Sequence, residues 1–137
     1  MVRPLPLHGP KPDSRSTALA AAQTALNKQA EGVVVMDLRS LSGVTDFFVV
    51  CTAGSGRQIS ALKDHIEAAL LQQGCPVWHT EGSTAPPPRG GSEDPEFRWV
   101  LMDCGEVVVH LFDQRARTFY RLEELWADAP RLPLPSA

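Results

Sequence analysis

The residues of this chain that could support catalysis are a glycine-serine helix start and one pair of carboxylates. A nucleotidyl-transfer site would need two metal-binding carboxylates close together on a strand that follows such a helix start. The chain has the helix start at Gly54-Ser55-Gly56, but no Asp-x-Asp or Asp-x-Glu lies on a strand after it. Asp103 and Glu106 lie about a turn, which would splay their carboxylates. A capped helix after a central strand is therefore the favoured interpretation of the glycine-serine segment.

Other site patterns also fail. Ile59 stands where a dinucleotide fingerprint needs a third Gly or Ala, and no Gly-Lys-Ser/Thr of a P-loop occurs. The histidines and cysteines have neither metal-ligand spacing nor a nucleophile–base arrangement: His8, His65, His79, His110, Cys51, Cys75 and Cys104. We expect no catalytic residue, no metal and no cofactor. The alternative is a nucleotide-binding or nucleotidyl-transferring enzyme that uses Gly54-Ser55-Gly56.

Composition places the chain among ordinary folded proteins of one domain. It has 137 residues, 43% hydrophobic and 21% charged, and a formal net charge of −3. A negative chain is poorly suited to wrapping phosphates, so we expect little direct nucleic acid contact. Three cysteines without CxxC spacing indicate reduced, largely buried thiols. No apolar run reaches the length of a signal peptide or membrane span, so we expect a cytoplasmic protein.

Hydrophobic periodicity predicts the element order αββαβββα. The expected helices are 16–29, one that follows Gly54-Ser55-Gly56 and runs to about residue 73, and 118–127. The expected strands cover 33–38, 44–52, a short stretch near 77–78 and two strands about Cys104-Gly105. The strand at 44–52 is apolar on both faces and should lie in the middle of a covered sheet. This order predicts an α/β fold, a mixed β-sheet of about five strands flanked by helices.

Both long helices carry an apolar stripe. In the first helix we expect it at Leu19, Ala22, Leu26 and Ala30, with Gly32 ending the helix. In the second, Ser55 and Gln58 fit a capping box, and Gly74 ends the helix. Its expected buried stripe is Ile59, Leu62, Ile66 and Leu70.

The domain limits follow from proline and glycine. Residues 1–13 read as a flexible leader, 14–127 as a single α/β domain, and 128–137 as a Pro-rich tail. Residues 83–96, rich in Pro, Gly, Ser and acids, are predicted to be a mobile loop inserted in the domain.

The segment 98–112 predicts a β-hairpin with two different faces. If Cys104-Gly105 is the two-residue turn, Asp103 faces Glu106, Leu101 faces Val108, and Trp99 faces His110. Strand alternation then places a wholly apolar set on the core face: Val100, Met102, Val107, Val109 and Leu111. The outer face collects Trp99, Leu101, Asp103, Glu106, Val108, His110 and Phe112.

Two interpretations of the outer face remain open. A helix could cover its apolar half while the carboxylates reach solvent, or the face could be a partner-binding patch. A tryptophan among apolar residues with an acidic rim is typical of an interface and suggests a basic partner.

Several short pieces, in order and spacing, resemble the ribosomal silencing factor (Iojap-like) family over residues 16–126. They are Thr45-Asp46, Cys51-Thr52, Ser55 with Arg57, Asp64-His65, Glu81-Gly82, Trp99-Val100, Asp103-x-Gly105, Val109-His110 and Tyr120-x-Leu122-Glu123-x-Leu125-Trp126. The chain departs from the family at residues 83–96, which are longer than the usual link.

The resemblance implies a fold distantly similar to nucleotidyltransferases but without their active site. It also implies a non-enzymatic protein that binds the large-subunit protein L-fourteen, sterically blocks joining with the small subunit, represses translation and often forms homodimers. The family's contact tryptophan matches Trp99. Hairpin geometry extends the predicted partner-binding set to Leu101, Asp103, Val108 and His110.

Overall fold

The computed structural model describes residues 13–82 and 98–134 and contains one mixed β-sheet. The helices are α1 (Ser14–Asn27), α2 (Gly56–Gln72), α3 (Gln114–Tyr120) and α4 (Leu122–Leu125). The strands are β1 (Glu31–Asp37), β2 (Phe47–Ala53), β3 (His79–Glu81), β4 (Trp99–Asp103) and β5 (Val107–Asp113). The predicted leader 1–13, apart from Asp13, and loop 83–96 lie outside the described residues.

The sheet order is β1-β2-β5-β4-β3, with β2 and β5 parallel and the other neighbours antiparallel. This arrangement confirms the predicted α/β class and the mixed sheet of five strands. Strand β2 lies second from one edge, between β1 and β5, and six of its seven residues are buried. Its doubly apolar sequence therefore did predict an interior position.

Helices α1 and α2 cover the inner face of the sheet and form the main core with it. The predicted stripe of α2 is confirmed, since Ile59, Leu62, Ile66 and Leu70 are its buried residues. The predicted stripe of α1 is confirmed at Ala22 but is wrong at Leu19 and Leu26, which are only half-buried. Small residues form the buried face of α1 instead: Ser14, Thr17, Ala18, Ala21, Ala22 and Ala25. Side chains of this size let the helix axis approach its neighbours closely.

The helix ends follow capping chemistry, with two differences from expectation. Ser55 Oγ accepts the Gln58 N–H at 3.1 Å, as predicted. Gln58 Oε1 accepts from the Gly54 N–H at 2.7 Å. In a capping box it would instead accept from the N–H of the cap residue, Ser55. Helix α1 ends before Gly32, with Gln29 taking the left-handed conformation at φ 67°.

The hairpin of β4 and β5 has a different register from the predicted one. Gly105-Glu106 is the two-residue turn, because the Cys104 N–H donates to the Val107 carbonyl at 3.0 Å. Gly105 adopts φ +92°, which suits a glycine in the first central position of a hairpin turn. Its N–H donates to Asp103 Oδ1 at 2.8 Å.

The cross-strand pairs are consequently Trp99 with Phe112, Leu101 with His110, and Asp103 with Val108. The predicted opposition of Asp103 and Glu106 does not occur. The error is a shift of two residues, and an even shift keeps every side chain on its predicted face. The predicted core face lies in the main core, as expected.

The C-terminal part covers half of the outer face. The single helix predicted at 118–127 is two short helices, α3 and α4, which meet at Arg121 in the left-handed conformation (φ 50°). They close a second core cluster, formed by Met36, Leu38, Val50, Phe112, Ala116, Leu122 and Ala129.

The first residues of the predicted Pro-rich tail lie along β1. The Asp37 N–H donates to the Pro130 carbonyl at 2.7 Å, and the Leu132 N–H to the Val35 carbonyl at 2.9 Å. Residues 130–132 therefore cover the outer edge of β1. In the described part of the chain, no helix has the length and apolar character needed to span a membrane.

Candidate partner-binding surface

Trp99 lies on the part of the outer face that α3 and α4 do not fully cover. Its ring stacks on the buried Phe112, with centroids 5.3 Å apart and planes at 27°. On its other side it contacts Tyr120 of α3, with centroids 4.6 Å apart. The residue is half-buried, so part of a large, rigid aromatic side chain remains open to solvent. Such a side chain loses little conformational entropy when a partner covers it.

His110 holds the indole of Trp99 in place from below. The Trp99 Nε1–H donates to His110 Nδ1 at 3.1 Å. Because Nδ1 accepts, the proton of the neutral imidazole must be on Nε2. His110 is 3% exposed, and burial lowers its pKa to about 4. The ring is therefore neutral at physiological pH, which is the state that the hydrogen bond requires.

The other nitrogen of His110 is buried without a hydrogen-bond partner among the described residues. The Phe48 and His110 rings pack edge to face, with their centroids 4.5 Å apart. A buried polar atom left in this way costs free energy. The tautomer of His110 that accepts the hydrogen bond from Trp99 therefore lowers the free energy of unfolding, because its Nε2–H has no partner in the described part of the chain.

The remaining predicted site residues differ in exposure. Leu101 and Asp103 are half-buried on β4 and lie on the same face as Trp99. Val108 is 8% exposed and His110 3%, so both lie beneath this surface. The structure brings all five predicted residues together, but only Trp99, Leu101 and Asp103 reach the outside.

The sequence analysis missed several aromatic and apolar residues that extend this surface. Tyr120 is 40% exposed beside Trp99, and Phe119 (65% exposed) contacts Tyr120. Trp126 packs on Phe48, and Leu125 next to it in sequence is 75% exposed. The sequence did contain a signal for these residues, namely the adjacent pairs Phe119-Tyr120 and Leu125-Trp126. An amphipathic helix buries one face only, so it cannot bury both members of such a pair. We call Trp99, Leu101, Asp103, Phe119 and Tyr120 the Trp99 surface.

The two strands of the hairpin differ in how far their outer face is covered. The outward residues of β5, including Phe112, are buried, whereas Trp99, Leu101 and Asp103 of β4 stay half-buried.

The α3–α4 segment is fastened to the sheet by Arg117. Its guanidinium donates to both oxygens of Glu123 at 2.9 and 2.8 Å, and to Thr52 Oγ1 at 2.8 Å. Gly32 makes room for it, since a Cβ there would lie 2.7 Å from an Arg117 nitrogen. The adjacent Arg117 holds the pKa of Glu123 below its usual value. This partly buried ion pair fixes α3, and with it Tyr120, relative to Trp99.

The helix start at Gly54-Ser55-Gly56 lies at the carboxyl ends of the parallel strands, where α/β folds often bind ligands. Asp113 lies at this edge and is 7% exposed. It accepts the Ala116 N–H at 2.8 Å and the Arg98 N–H at 3.1 Å, so it caps α3 and orders the chain before β4. Burial raises the pKa of the nearby Cys51 thiol to about 12, which makes it a poor nucleophile.

Within residues 13–82 and 98–134, no three His, Cys, Asp or Glu side chains are grouped so that they could hold a metal ion.

Together, the sheet and the Trp99 surface define a small α/β protein with one aromatic, half-exposed surface. A family model described as "Ribosomal silencing factor during starvation" matches residues 11–137. The chain belongs to this family, which by its description is regulatory rather than catalytic.

Named relatives agree with this assignment. The chain is similar to "Ribosomal silencing factor RsfS" of Bacillus subtilis, with 35% identity over 118 residues, 86% of this chain and 91% of the relative. The protein of the same name from Halalkalibacterium halodurans is 35% identical over 108 residues, covering 79% and 83%. "Protein Iojap, chloroplastic" of Zea mays is 33% identical over 120 residues, 88% of this chain but 47% of that protein.

Solved structures show the same fold. A Chromobacterium violaceum protein matches with a TM-score of 0.72 at 23% identity, covering 92% of this chain and 95% of the other. A Bacillus halodurans protein matches with a TM-score of 0.67 at 30% identity, covering 88% and 99%.

Proposed function

We propose that this chain binds the large ribosomal subunit through the protein L-fourteen and sterically blocks joining with the small subunit. Translation is thereby repressed without catalysis or a cofactor. Family membership supports the ribosome as the target, because the relatives carry the name "Ribosomal silencing factor". The protein would act in the cytoplasm and form a homodimer.

The observation that carries the proposal is the half-exposed Trp99, stacked on Phe112 and hydrogen-bonded to His110. A large aromatic side chain held rigidly at the edge of a core is the type of residue that dominates binding energy at interfaces. Leu101 and Asp103 contribute the adjoining contacts, while Val108 and His110 support them from beneath. The carboxylate of Asp103 favours a basic partner, and ribosomal proteins are usually basic.

Replacement of Trp99 tests the proposal. Trp99→Ala should weaken binding to purified large subunits by about 2–4 kcal/mol, roughly 30- to 1,000-fold in the dissociation constant. Co-sedimentation with increasing amounts of subunit measures this. Leu71→Ala is the matched control, since Leu71 is an apolar residue of α2 that is 62% exposed on the opposite side of the sheet. It should bind like the wild type.

Because Trp99 also packs on Phe112, the variant's circular dichroism and melting temperature must be measured alongside. Tyr120→Ala provides a second variant with less effect on the core, and we expect a smaller loss of binding. Normal binding by both folded variants would exclude the Trp99 surface as the contact.

A further inference from the structure

Two cysteines that are distant in sequence meet at one end of the sheet. Cys75 follows α2, and Cys104 directly follows the last residue of β4. The Cys75 thiol donates to the Cys104 carbonyl oxygen at 3.4 Å, and the side chains of the two cysteines also contact each other. All three cysteines of the chain are free thiols in this structure. The contact of Cys75 with Cys104 has no part in the proposed ribosome binding.

Local structure fixes the positions of both cysteines. Gly74 ends α2 in the left-handed conformation (φ 76°), and the Cys75 N–H then donates to the Leu70 carbonyl at 2.9 Å, which ties Cys75 back to the last turn of the helix. Cys104 is held by the hairpin turn, since its N–H and its thiol both donate to the Val107 carbonyl oxygen, at 3.0 and 3.1 Å. A helix end and a turn therefore hold the two thiols side by side.

The two cysteines differ in how easily a reagent can reach them. Both line an open cavity of about 570 Å³, in which Cys75 is half-buried and Cys104 is 7% exposed. Burial raises the pKa of the Cys104 thiol to about 12, and the contact with Cys75 adds to this effect. Because the thiolate is the reactive form of cysteine, the first attack on a reagent falls to Cys75. Once the Cys75 sulfur is bonded, its contribution to the raised pKa of Cys104 disappears.

The third cysteine, Cys51, lies away from this pair. It is completely buried on β2 and is paired with Leu111 of β5. Leu111 is about 13 Å along the strand from Val107, at the start of β5, where Cys104 is bound. Cys51 therefore serves as an internal control.

We propose that Cys75 and Cys104 form a redox site, at which a low-molecular-weight disulfide converts the two thiols into an intramolecular disulfide. The Cys75 thiolate attacks one sulfur of the reagent, whose S–S bond breaks and whose other sulfur leaves as a thiolate. The Cys104 thiolate then attacks the Cys75 sulfur of the mixed disulfide and displaces the second small thiolate. The two protons that the cysteines lose are taken up by the two released thiolates. Two protein sulfurs are thereby oxidised, and the two sulfurs of the reagent are reduced.

The cross-link would tie the end of α2 to the end of β4, the strand that carries Trp99. Cys75 and Cys104 are 29 residues apart, and a disulfide that closes a loop of this length stabilises a fold mainly by restricting the unfolded chain. The oxidised protein should therefore melt roughly 10 °C above the reduced protein. The proposal does not depend on the ribosome contact, so either can fail without the other.

Treatment of the native chain with cystamine tests the site. Cystamine is a small disulfide, and its positive charges suit the carboxylates of Asp46 and Glu106 that line the cavity. After denaturation, the remaining thiols are blocked with N-ethylmaleimide, and the masses of the intact chain and of its peptides are measured. The wild type should lose two hydrogens, keep one thiol that can be blocked, and yield two peptides joined through Cys75 and Cys104. Melting curves of the oxidised and reduced protein measure the thermal shift.

Three variants separate the roles of the cysteines. Cys104→Ser should stop at the mixed disulfide on Cys75, and its hydroxyl can still donate to the Val107 carbonyl. Cys75→Ser should react at least about tenfold more slowly than the wild type, because only buried thiols remain. Cys51→Ala is the matched control and should form the cross-link as the wild type does.

Several results would overturn the proposal. They are a wild-type chain that does not react with cystamine, that keeps a stable mixed disulfide, or that joins to a second chain instead of closing a bond within itself. A cross-link through Cys51 would do the same. An oxidised protein that melts no higher than the reduced protein would show that the fold does not hold the two thiols in place for this bond.

Discussion

The hydrogen bond from Trp99 to His110 links the exposed surface to the buried interior at the scale of single residues. Strand alternation placed both residues on the outer face. Alternation gives no information about depth, however, and His110 proved to be buried where a surface contact was expected. Its burial comes from Phe48, Trp99 and Phe112, which converge on it from three strands. A single strand's sequence does not contain that information.

The buried His110 predicts a pH dependence of stability. Its folded pKa, about 4, is below the ordinary value of 6.5, so the unfolded chain binds the proton more readily. Stability is therefore complete above pH 6.5, falls as the pH decreases toward 4 and levels off below that. Between pH 7 and 4.5 this residue should account for about 2–3 kcal/mol of the lost free energy of unfolding.

Urea denaturation at the two pH values measures this loss. His110→Asn is the comparison, because its amide oxygen can still accept from Trp99 but it does not titrate. Between the two pH values, the variant should lose about 2–3 kcal/mol less of its free energy of unfolding than the wild type. Equal pH dependence in the two proteins would mean that His110 is not held neutral by the fold.

Secondary-structure elements were predictable where their own sequence determines them, as α2 shows. Its stripe, its cap at Ser55 and its end at Gly74 all follow from local spacing. The stripe of α1 was not predictable in the same way, because in an alanine-rich helix leucine looks like the buried residue. The sheet selected the alanine face, which allows closer packing. Tertiary packing overrides local periodicity in that case.

The assignment of the two hairpin faces has a test on the core face. Val109 is completely buried in the main core, and a carboxylate there would have no partner. Val109→Asp should unfold or aggregate the protein, at a cost of several kcal/mol. Circular dichroism and thermal melting measure this. The equivalent change at an outward position, Leu101→Asp, should leave a folded protein. A soluble Val109→Asp variant of normal melting temperature would mean that the faces are reversed.

The break between α3 and α4 was not predicted, because it depends on contacts far away in sequence. Arg117 reaches Thr52 on β2 and Glu123 beyond the break. Periodicity instead indicated one continuous helix through Arg121.

Removal of the Arg117 side chain should loosen α3 and α4 together. In the ion pair with Glu123, the two side chains are 12% and 23% exposed. Arg117→Met should cost about 1–3 kcal/mol and should speed amide hydrogen exchange across residues 114–125. Arg121→Gln is the control, since the pair of Arg121 with Glu124 is well exposed and should contribute little. Unchanged exchange in Arg117→Met would show that apolar packing alone holds the two helices.

For the whole molecule, the order of elements and the α/β class could be read from the sequence, since they depend on periodicity and turn residues. The sheet order could not, because it depends on which strands pair at long range. The outer face is the clearest example. Its composition left a covering helix and a binding patch as alternatives, and long-range packing buries the β5 residues while Trp99, Leu101 and Asp103 of β4 stay half-buried.

The central claim concerns occupancy of the large subunit, and the joining of ribosomal subunits measures it most directly. Purified subunits are mixed with increasing amounts of this protein, without nucleotide, and the joined fraction is read from a sucrose gradient. Occupancy follows mass action, so the joined fraction should fall and saturate near one protein per large subunit. Trp99→Ala should shift this curve to higher concentration, and excess small subunits should reverse the effect. Unchanged joining at saturating protein, or an effect that requires a nucleoside triphosphate, would contradict the steric account.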